Sequence, residues 1–166
     1  MTEAFELLSP ALQYQIVNVL GFASLRPVQQ MSIPVVRSGN NAILLAPTAG
    51  GKTEATFFPL LSAMDEGGWR PVSVLYLSPI KALLNNQEAR LHTYAELIGR
   101  RAFKWHGDTR PSERKKFIQD PADILLTTPE SLEAMLMSSR VPVRLFSQVE
   151  AVVIDEIHAF ADDDRG

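Results

Sequence analysis

Two short stretches hold residue types that can do chemistry on a phosphate. Ala46-Pro47-Thr48-Ala49-Gly50-Gly51-Lys52-Thr53 sits between an apolar run and a helical pattern. Small residues let backbone N–H groups converge on a phosphate, and a helix N-terminus behind them adds partial positive charge. A lysine then suits the β- and γ-phosphates, and a hydroxyl suits Mg²⁺. Ala46 stands where the strict pattern has its first glycine. The competing reading is a glycine-containing turn capped by an exposed lysine; the strand–loop–helix context favours the phosphate.

The second stretch is Val152-Val153-Ile154-Asp155-Glu156-Ile157-His158, again at the end of an apolar run. An acidic pair there can give a Mg²⁺-facing carboxylate, Asp155, and a neighbouring base for water, Glu156. A lone acidic pair more often caps a strand and faces solvent. Both stretches follow expected strands, which puts them at the ligand-binding edge of an open sheet and together favours nucleotide hydrolysis.

The elements that must position these residues are short. Asn41–Ala46, Val72–Leu77, Ile124–Thr127 and Val149–Ile154 are continuous apolar runs bounded by polar or turn residues, and Arg101–Trp105 is a weaker fifth. Such runs predict strands buried on both faces of a parallel sheet. Between them, Ser9-Pro10 opens a helix through Leu12, Ile16, Val19 and Leu20 that Gly21 stops. Leu84, Gln87, Leu91, Tyr94 and Ile98 share one face of another, ended by Gly99. Thr128-Pro129-Glu130 opens a third, with Leu132, Met135 and Leu136 inward and a carboxylate in its first turn. Pro34 and Pro59 fall inside helical segments and mark either kinks or shifted boundaries. Asp65–Gly68 and Asp108–Arg114 are the expected surface loops. Alternating strands and helices predict an α/β fold with right-handed crossovers.

The composition agrees. The chain has 166 residues, a net charge of −3, 46% hydrophobic and 21% charged residues, and no cysteine. That excludes disordered, collagen-like and coiled-coil classes, a disulfide framework, thiolate zinc and a cysteine nucleophile. Mild acidity argues against a uniformly basic binder but leaves room for a local nucleic-acid strip. The acidic start, Met1-Thr2-Glu3-Ala4-Phe5-Glu6, is unlike a signal peptide, and no apolar run approaches the roughly 18 residues of a membrane span. A soluble cytoplasmic domain with no membrane partner is the expectation.

With these motifs in place, the chain resembles the first RecA-like domain of a superfamily 2 helicase of the DExH kind, most similar to the large helicase-related group. The resemblance implies a three-layer RecA-like P-loop NTPase domain with a mostly parallel sheet over residues 21–166, preceded by a helical lead-in, 1–20. Family members carry Ala-Pro-Thr-Gly-Ser-Gly-Lys-Thr as motif I, and Ala49-Gly50 replace its Gly-Ser. Thr48, Ala49, Gly50, Gly51, Lys52 and Thr53 would hold the ATP phosphates, with Thr53 and Asp155 on Mg²⁺. Glu156 would activate water, and His158 would couple hydrolysis to the nucleic acid.

Gly21–Gln29 resembles the Q motif, so Gln29 would read the adenine edge and Phe22 or Arg26 would pack nearby; from the residues alone, a solvated glutamine near a helix start is the better reading. Leu77-Ser78-Pro79-Ile80-Lys81-Ala82-Leu83 resembles motif Ia, and Thr127-Thr128-Pro129-Glu130-Ser131 resembles motif Ib. Pro79, Lys81, Thr128, Pro129 and Glu130 would then hold a sugar–phosphate backbone, DNA or RNA, single-stranded or partly duplex. Helix capping is the competing and compatible role. Trp105–Thr109 and Asp164-Arg165-Gly166 also fit the group.

Other residues carry less. Arg110, Arg114, Lys115 and Lys116 form a basic cluster whose default reading is a solvated helix face, with nucleic-acid contact the minority one. His92, His106 and His158 fit no zinc-ligand spacing. The family's motif III strand, expected between the phosphate-loop strand and the acidic-box strand, has no counterpart, nor does a second RecA-like domain with its arginine finger. The chain is therefore expected to need that half, or a completing chain, and to have little or no activity alone. The alternative is a non-catalytic nucleotide- or nucleic-acid-binding module completed by a partner, and a weaker third is an unrelated P-loop NTPase.

Overall fold

Four apolar tetrapeptides become the strands of one parallel sheet, while the expected strand before the phosphate loop does not form. The computed structural model describes residues 2–47 and 49–160. They fall into two units, Met1–Gly68 and Trp69–Gly166.

The first unit is helical: α1 (Glu3–Glu6), α2 (Pro10–Asn18), α3 (Pro27–Arg37) and α4 (Lys52–Gly67). Ser9 caps α2 by accepting the Leu12 N–H at 3.4 Å, with Pro10 in the first helical position, where its missing N–H costs nothing. The Ser9 N–H donates to Ser62 Oγ at 2.8 Å, which ties the start of α2 to α4. Leu12, Ile16, Ile33, Phe57, Leu61 and Met64 are buried in full. Pro34 and Pro59 both lie inside their helices rather than at boundaries. Pro59 has no N–H for the Ala55 carbonyl one turn back. Ser32 of α3 takes that role, its hydroxyl 2.6 Å from Ala55 O.

Two expectations fail in this unit. Asn41–Ala46 has no regular structure, and Ile43 and Leu45 are 76% and 86% exposed. A strand exists only with a neighbour to accept its ladder hydrogen bonds, and no described residue pairs with this run. The loop expected at Asp65–Gly68 is mostly helix, since α4 continues through Asp65 and Glu66 to Gly67, and Gly68 ends it at φ +60°.

The second unit alternates strand and helix: β1 (Val74–Leu77), α5 (Lys81–Glu96), β2 (Ala102–Trp105), α6 (Pro111–Gln119), β3 (Ile124–Thr127), α7 (Pro129–Met137) and β4 (Ala151–Ile154). Short 3₁₀ turns cover Val143–Phe146 and Ile157–Phe160. The order is β2-β3-β1-β4, and all three pairings are parallel. Leu75, Trp105 and Leu125 pack on one face with Phe117 of α6, Met135 of α7, Val141 and Leu145. Phe117 stacks on Phe103 with centroids 4.6 Å apart and meets Trp105 edge-on at 5.9 Å. Central β3 is buried throughout. Among the described residues β4 pairs only with β1, and Val152 and Ile154, on one face of β4, are 53% and 48% exposed.

Smaller corrections follow from the same packing. The expected loop Asp108–Arg114 is cut short because α6 starts at Pro111. Leu136 faces solvent while Met135 is buried, since one residue along a helix turns the side chain by about 100°. No helix among the described residues is long and apolar enough to cross a membrane.

Candidate functional site

In the first unit the phosphate-loop sequence makes a tight turn at the head of α4. Gly51 has φ +88° and is followed by Lys52 and Thr53, the first two residues of the helix. A Cβ on Gly50 would lie 2.7 Å from the Pro47 carbonyl, and one on Gly51 would lie 2.5 Å from Gln29 Nε2. Only glycine fits either place. Ala49 adopts φ +62° despite its Cβ, a left-handed conformation that costs an L-residue about 1–2 kcal/mol. Lys52 Nζ donates to the Ala46 carbonyl at 3.1 Å, across the mouth of the loop. Thr48 lies outside the described residues.

The Gly21–Gln29 segment is drawn onto this loop. Gln29 is buried rather than solvated. Its Oε1 accepts the Arg26 N–H at 2.9 Å, and its Nε2 donates to Gly51 O at 3.4 Å. The Arg26 guanidinium donates to the Ala49 carbonyl. Phe22 packs edge-on against Phe58 at 5.5 Å. Phe22, Arg26, Gln29 and the loop residues 49–52 thus form one constellation. A glycine cradle that any Cβ would fill, a helix N-terminus and an adjacent lysine and threonine fit a nucleotide's phosphates.

In the second unit the register aligns Leu77 with Thr127 and with Ile154, and Trp105 with Thr127. The loops after all four strands therefore leave from one edge of the sheet, where open α/β sheets bind ligands. After β4, the Asp155 N–H donates to Leu77 O at 2.9 Å. Asp155 Oδ1 accepts the Glu156 N–H at 3.0 Å, and Oδ2 accepts the hydroxyl of Tyr76 from β1. Burial, then the Asp155 bond and the Asp155 and Glu156 charges, push the Tyr76 phenol well above its ordinary range, against a smaller opposing effect of Arg90. Glu156 has φ +50°, and its carboxylate lies 3.4 Å from His158 Nδ1. No cluster of three or more His, Cys, Asp or Glu able to hold a metal occurs among the described residues.

The other strand ends place the remaining candidates. Pro79 is buried after β1, and Lys81 is the first residue of α5. Lys81 Nζ is paired with Asp108 at 2.8 Å, which holds the Asp108 carboxyl below its usual range. After β3, Thr128 caps α7 by accepting the Ser131 N–H at 3.3 Å, with Pro129 and Glu130 in the first turn.

The loop after β2 depends on a residue that the sequence assigns to a solvated helix face. Arg114 Nη2 donates to the His106 and Gly107 carbonyls at 3.0 and 2.7 Å, and its guanidinium lies 5.3 Å from the Trp105 ring centre. His106 Nδ1 accepts the Asp108 N–H at 3.1 Å. Burial, then the Lys104 charge, hold the His106 imidazole below its ordinary pKa, with Asp108 opposing and Lys81 adding a little. Tyr76 is the residue the sequence does not single out, and the roles of Asp108 and Arg114 in this loop differ from the motif and the solvated face in which the sequence places them. Asp164-Arg165-Gly166 lies outside the described residues.

Comparison with known proteins places the chain in a family. Residues 26–166 match the family described as DEAD/DEAH box helicase. The chain is 36% identical over 160 residues to the Lhr helicase/probable uracil glycosylase of Mycolicibacterium smegmatis, covering 87% of this chain and 10% of that one. It is 33% identical over 157 residues to the ATP-dependent helicase Lhr-Core of Sulfolobus acidocaldarius, covering 84% and 17%. It superposes on the structure of Mycobacterium smegmatis helicase Lhr bound to ssDNA and AMP-PNP with a TM-score of 0.88 and 31% identity, covering 99% of this chain and 22% of that one. The DUF1998 helicase MrfA bound to DNA and AMPPNP gives 0.80 and 29%, covering 96% and 22%. The chain thus spans between a tenth and a fifth of the length of these curated relatives.

Proposed function

The chain belongs to the DEAD/DEAH box helicase family as a first RecA-like domain of superfamily 2, and from that premise we propose that it is the Mg-ATP-binding portion of a nucleic-acid helicase or translocase. The observation that carries this reading is the glycine cradle before Lys52 and Thr53, with Arg26 and Gln29 bonded to its carbonyls. Lys52 binds the β- and γ-phosphates, and backbone N–H groups of the loop bind phosphate oxygens. Gln29 and Phe22 sit beside the adenine. Thr53 and Asp155 hold Mg²⁺, which when bound neutralises developing charge on the phosphates. Glu156 orients and deprotonates the attacking water, and His158, beside Glu156, links that base to the nucleic-acid side.

A strand of nucleic acid is held by the loops after β1 and β3, through Pro79, Lys81, Thr128, Pro129 and Glu130. Helix-start N–H groups and a lysine contact its backbone without reading bases. The likeness to a helicase solved with ssDNA and a nucleotide analogue supports this use of the sheet edge. Residues 1–20 serve as a lead-in to the domain, in keeping with a family match that starts at 26. The second RecA-like half, or a completing chain, supplies the arginine finger, worth about 10³–10⁵ in rate. Among the described residues β4 pairs only with β1, which supports a further element beside it.

The test is single-strand-stimulated ATPase of this domain together with the second RecA-like half. Lys52→Ala should abolish nucleotide binding, and Glu156→Gln should retain binding while losing turnover. An ATPase indifferent to nucleic acid, or unchanged in Glu156→Gln, would sink the reading.

A further inference from the structure

Asp155 is oriented by more than its place in the loop. Its backbone N–H is fixed to Leu77 of β1, and its Oδ1 is held by the N–H of Glu156. The first bond fixes only the backbone, and the second holds one oxygen while leaving the carboxylate free to rotate about it. The Tyr76 hydroxyl completes the restraint by donating to Oδ2. Tyr76 is placed for this by the sheet: on β1 it sits opposite Val153 of β4, two residues before Asp155, and its ring is buried. A buried phenol needs a hydrogen-bond partner, and an ionised carboxylate accepts one strongly. Phenylalanine would fill the same space without the bond, so the hydroxyl has a role separable from the packing of the ring.

We propose that Tyr76 is a positioning residue for Asp155: its hydroxyl sets the rotamer of the carboxylate that would hold Mg²⁺. The inference rests on the reading of Asp155 as the Mg²⁺-facing carboxylate. Outer partners of metal-facing carboxylates commonly alter metal affinity or activity by about 10–100-fold, and Tyr76 stands in that relation to Asp155.

The experiment measures Mg²⁺-dependent binding of a fluorescent ATP analogue to the full chain, comparing Tyr76→Phe, Asp155→Asn and the unaltered protein. Tyr76→Phe should raise the Mg²⁺ midpoint about tenfold and leave metal-free nucleotide binding unchanged. Unfolding in equilibrium with binding would weaken metal-free and Mg²⁺-dependent nucleotide binding alike, so unchanged metal-free binding separates the positioning role from a loss of stability. A Tyr76→Phe midpoint within twofold of the unaltered protein, while Asp155→Asn shifts it strongly, overturns the positioning role alone. A midpoint that Asp155→Asn also leaves in place overturns the assignment of Asp155 and the inference with it.

Discussion

The Ser32 hydroxyl on α3 donates at 2.6 Å to the Ala55 carbonyl on α4, the carbonyl that Pro59 leaves without its helical partner. A proline that would interrupt one helix is thus compensated from a neighbour, and the two helices are joined at the turn where α4 lacks its own bond. Ser32→Ala leaves a buried carbonyl unsatisfied and should cost about 1–3 kcal/mol in urea unfolding. Pro59→Ala restores an N–H to that carbonyl, so the double variant should recover part of the loss. A cycle in which the two effects simply add would mean that the bond does not compensate Pro59.

Ala49 holds a left-handed φ that glycine adopts freely. Ala49→Gly should raise stability by about 0.5–1 kcal/mol once glycine's greater unfolded-state entropy is subtracted. Gly50→Ala should do the opposite, because its Cβ meets the Pro47 carbonyl. It should also weaken nucleotide binding. Thermal melts and titration with a fluorescent nucleotide check both.

His106 predicts a pH dependence. Its imidazole is held below its ordinary pKa by burial, so the unfolded chain binds the proton more readily than the folded one. Its contribution to stability is complete above the unfolded value of about 6.5 and is lost as pH falls below it through the folded pKa. Protonation at Nδ1 would also break the bond from the Asp108 N–H. Melts between pH 7.5 and 5 should show a decline that His106→Asn flattens.

Asp123 is buried with both oxygens engaged. Oδ1 accepts from Arg100 Nη1 at 3.0 Å, and Oδ2 accepts from the Arg101 N–H at 2.9 Å. Asp123→Ala should cost about 3–5 kcal/mol, since Arg100 loses its carboxylate in a largely buried place. Asp123→Asn should cost less, and a denaturation series compares the two.

Lys81 is occupied by Asp108 in the absence of any other anion. Under the proposed nucleic-acid contact, Asp108→Asn releases it and should raise single-strand affinity a few-fold at low salt. The advantage should shrink as salt screens phosphate contacts, and fluorescence anisotropy at several salt concentrations checks it.

The strands β1 and β3 are legible in the sequence because continuous apolar runs such as Ile124–Thr127 are buried on both faces whatever surrounds them. The motif positions follow from those strands, so Asp155, Lys81 and Thr128 are found where expected. Asn41–Ala46 is misread because apolarity predicts burial, whereas a strand needs a hydrogen-bonding neighbour, which is a property of the whole sheet. Asp65 and Glu66 are misread because α4 is long enough to carry polar residues on its final turn. The Tyr76–Asp155 bond is invisible in the sequence because 79 positions separate the residues and only the β1–β4 register brings them together. Arg114 is hidden by its charged neighbours, and its distinguishing feature is the Trp105 ring beneath it.

The bare edge of β4 has a practical corollary for handling the protein. Among the described residues nothing pairs with β4 on the side away from β1, and an edge of this kind, beside the exposed Val152 and Ile154, is a template on which another strand can add. Preparations of this chain should therefore self-associate in a concentration-dependent way. A lysine at position 152 is the gatekeeper substitution that would keep them dispersed.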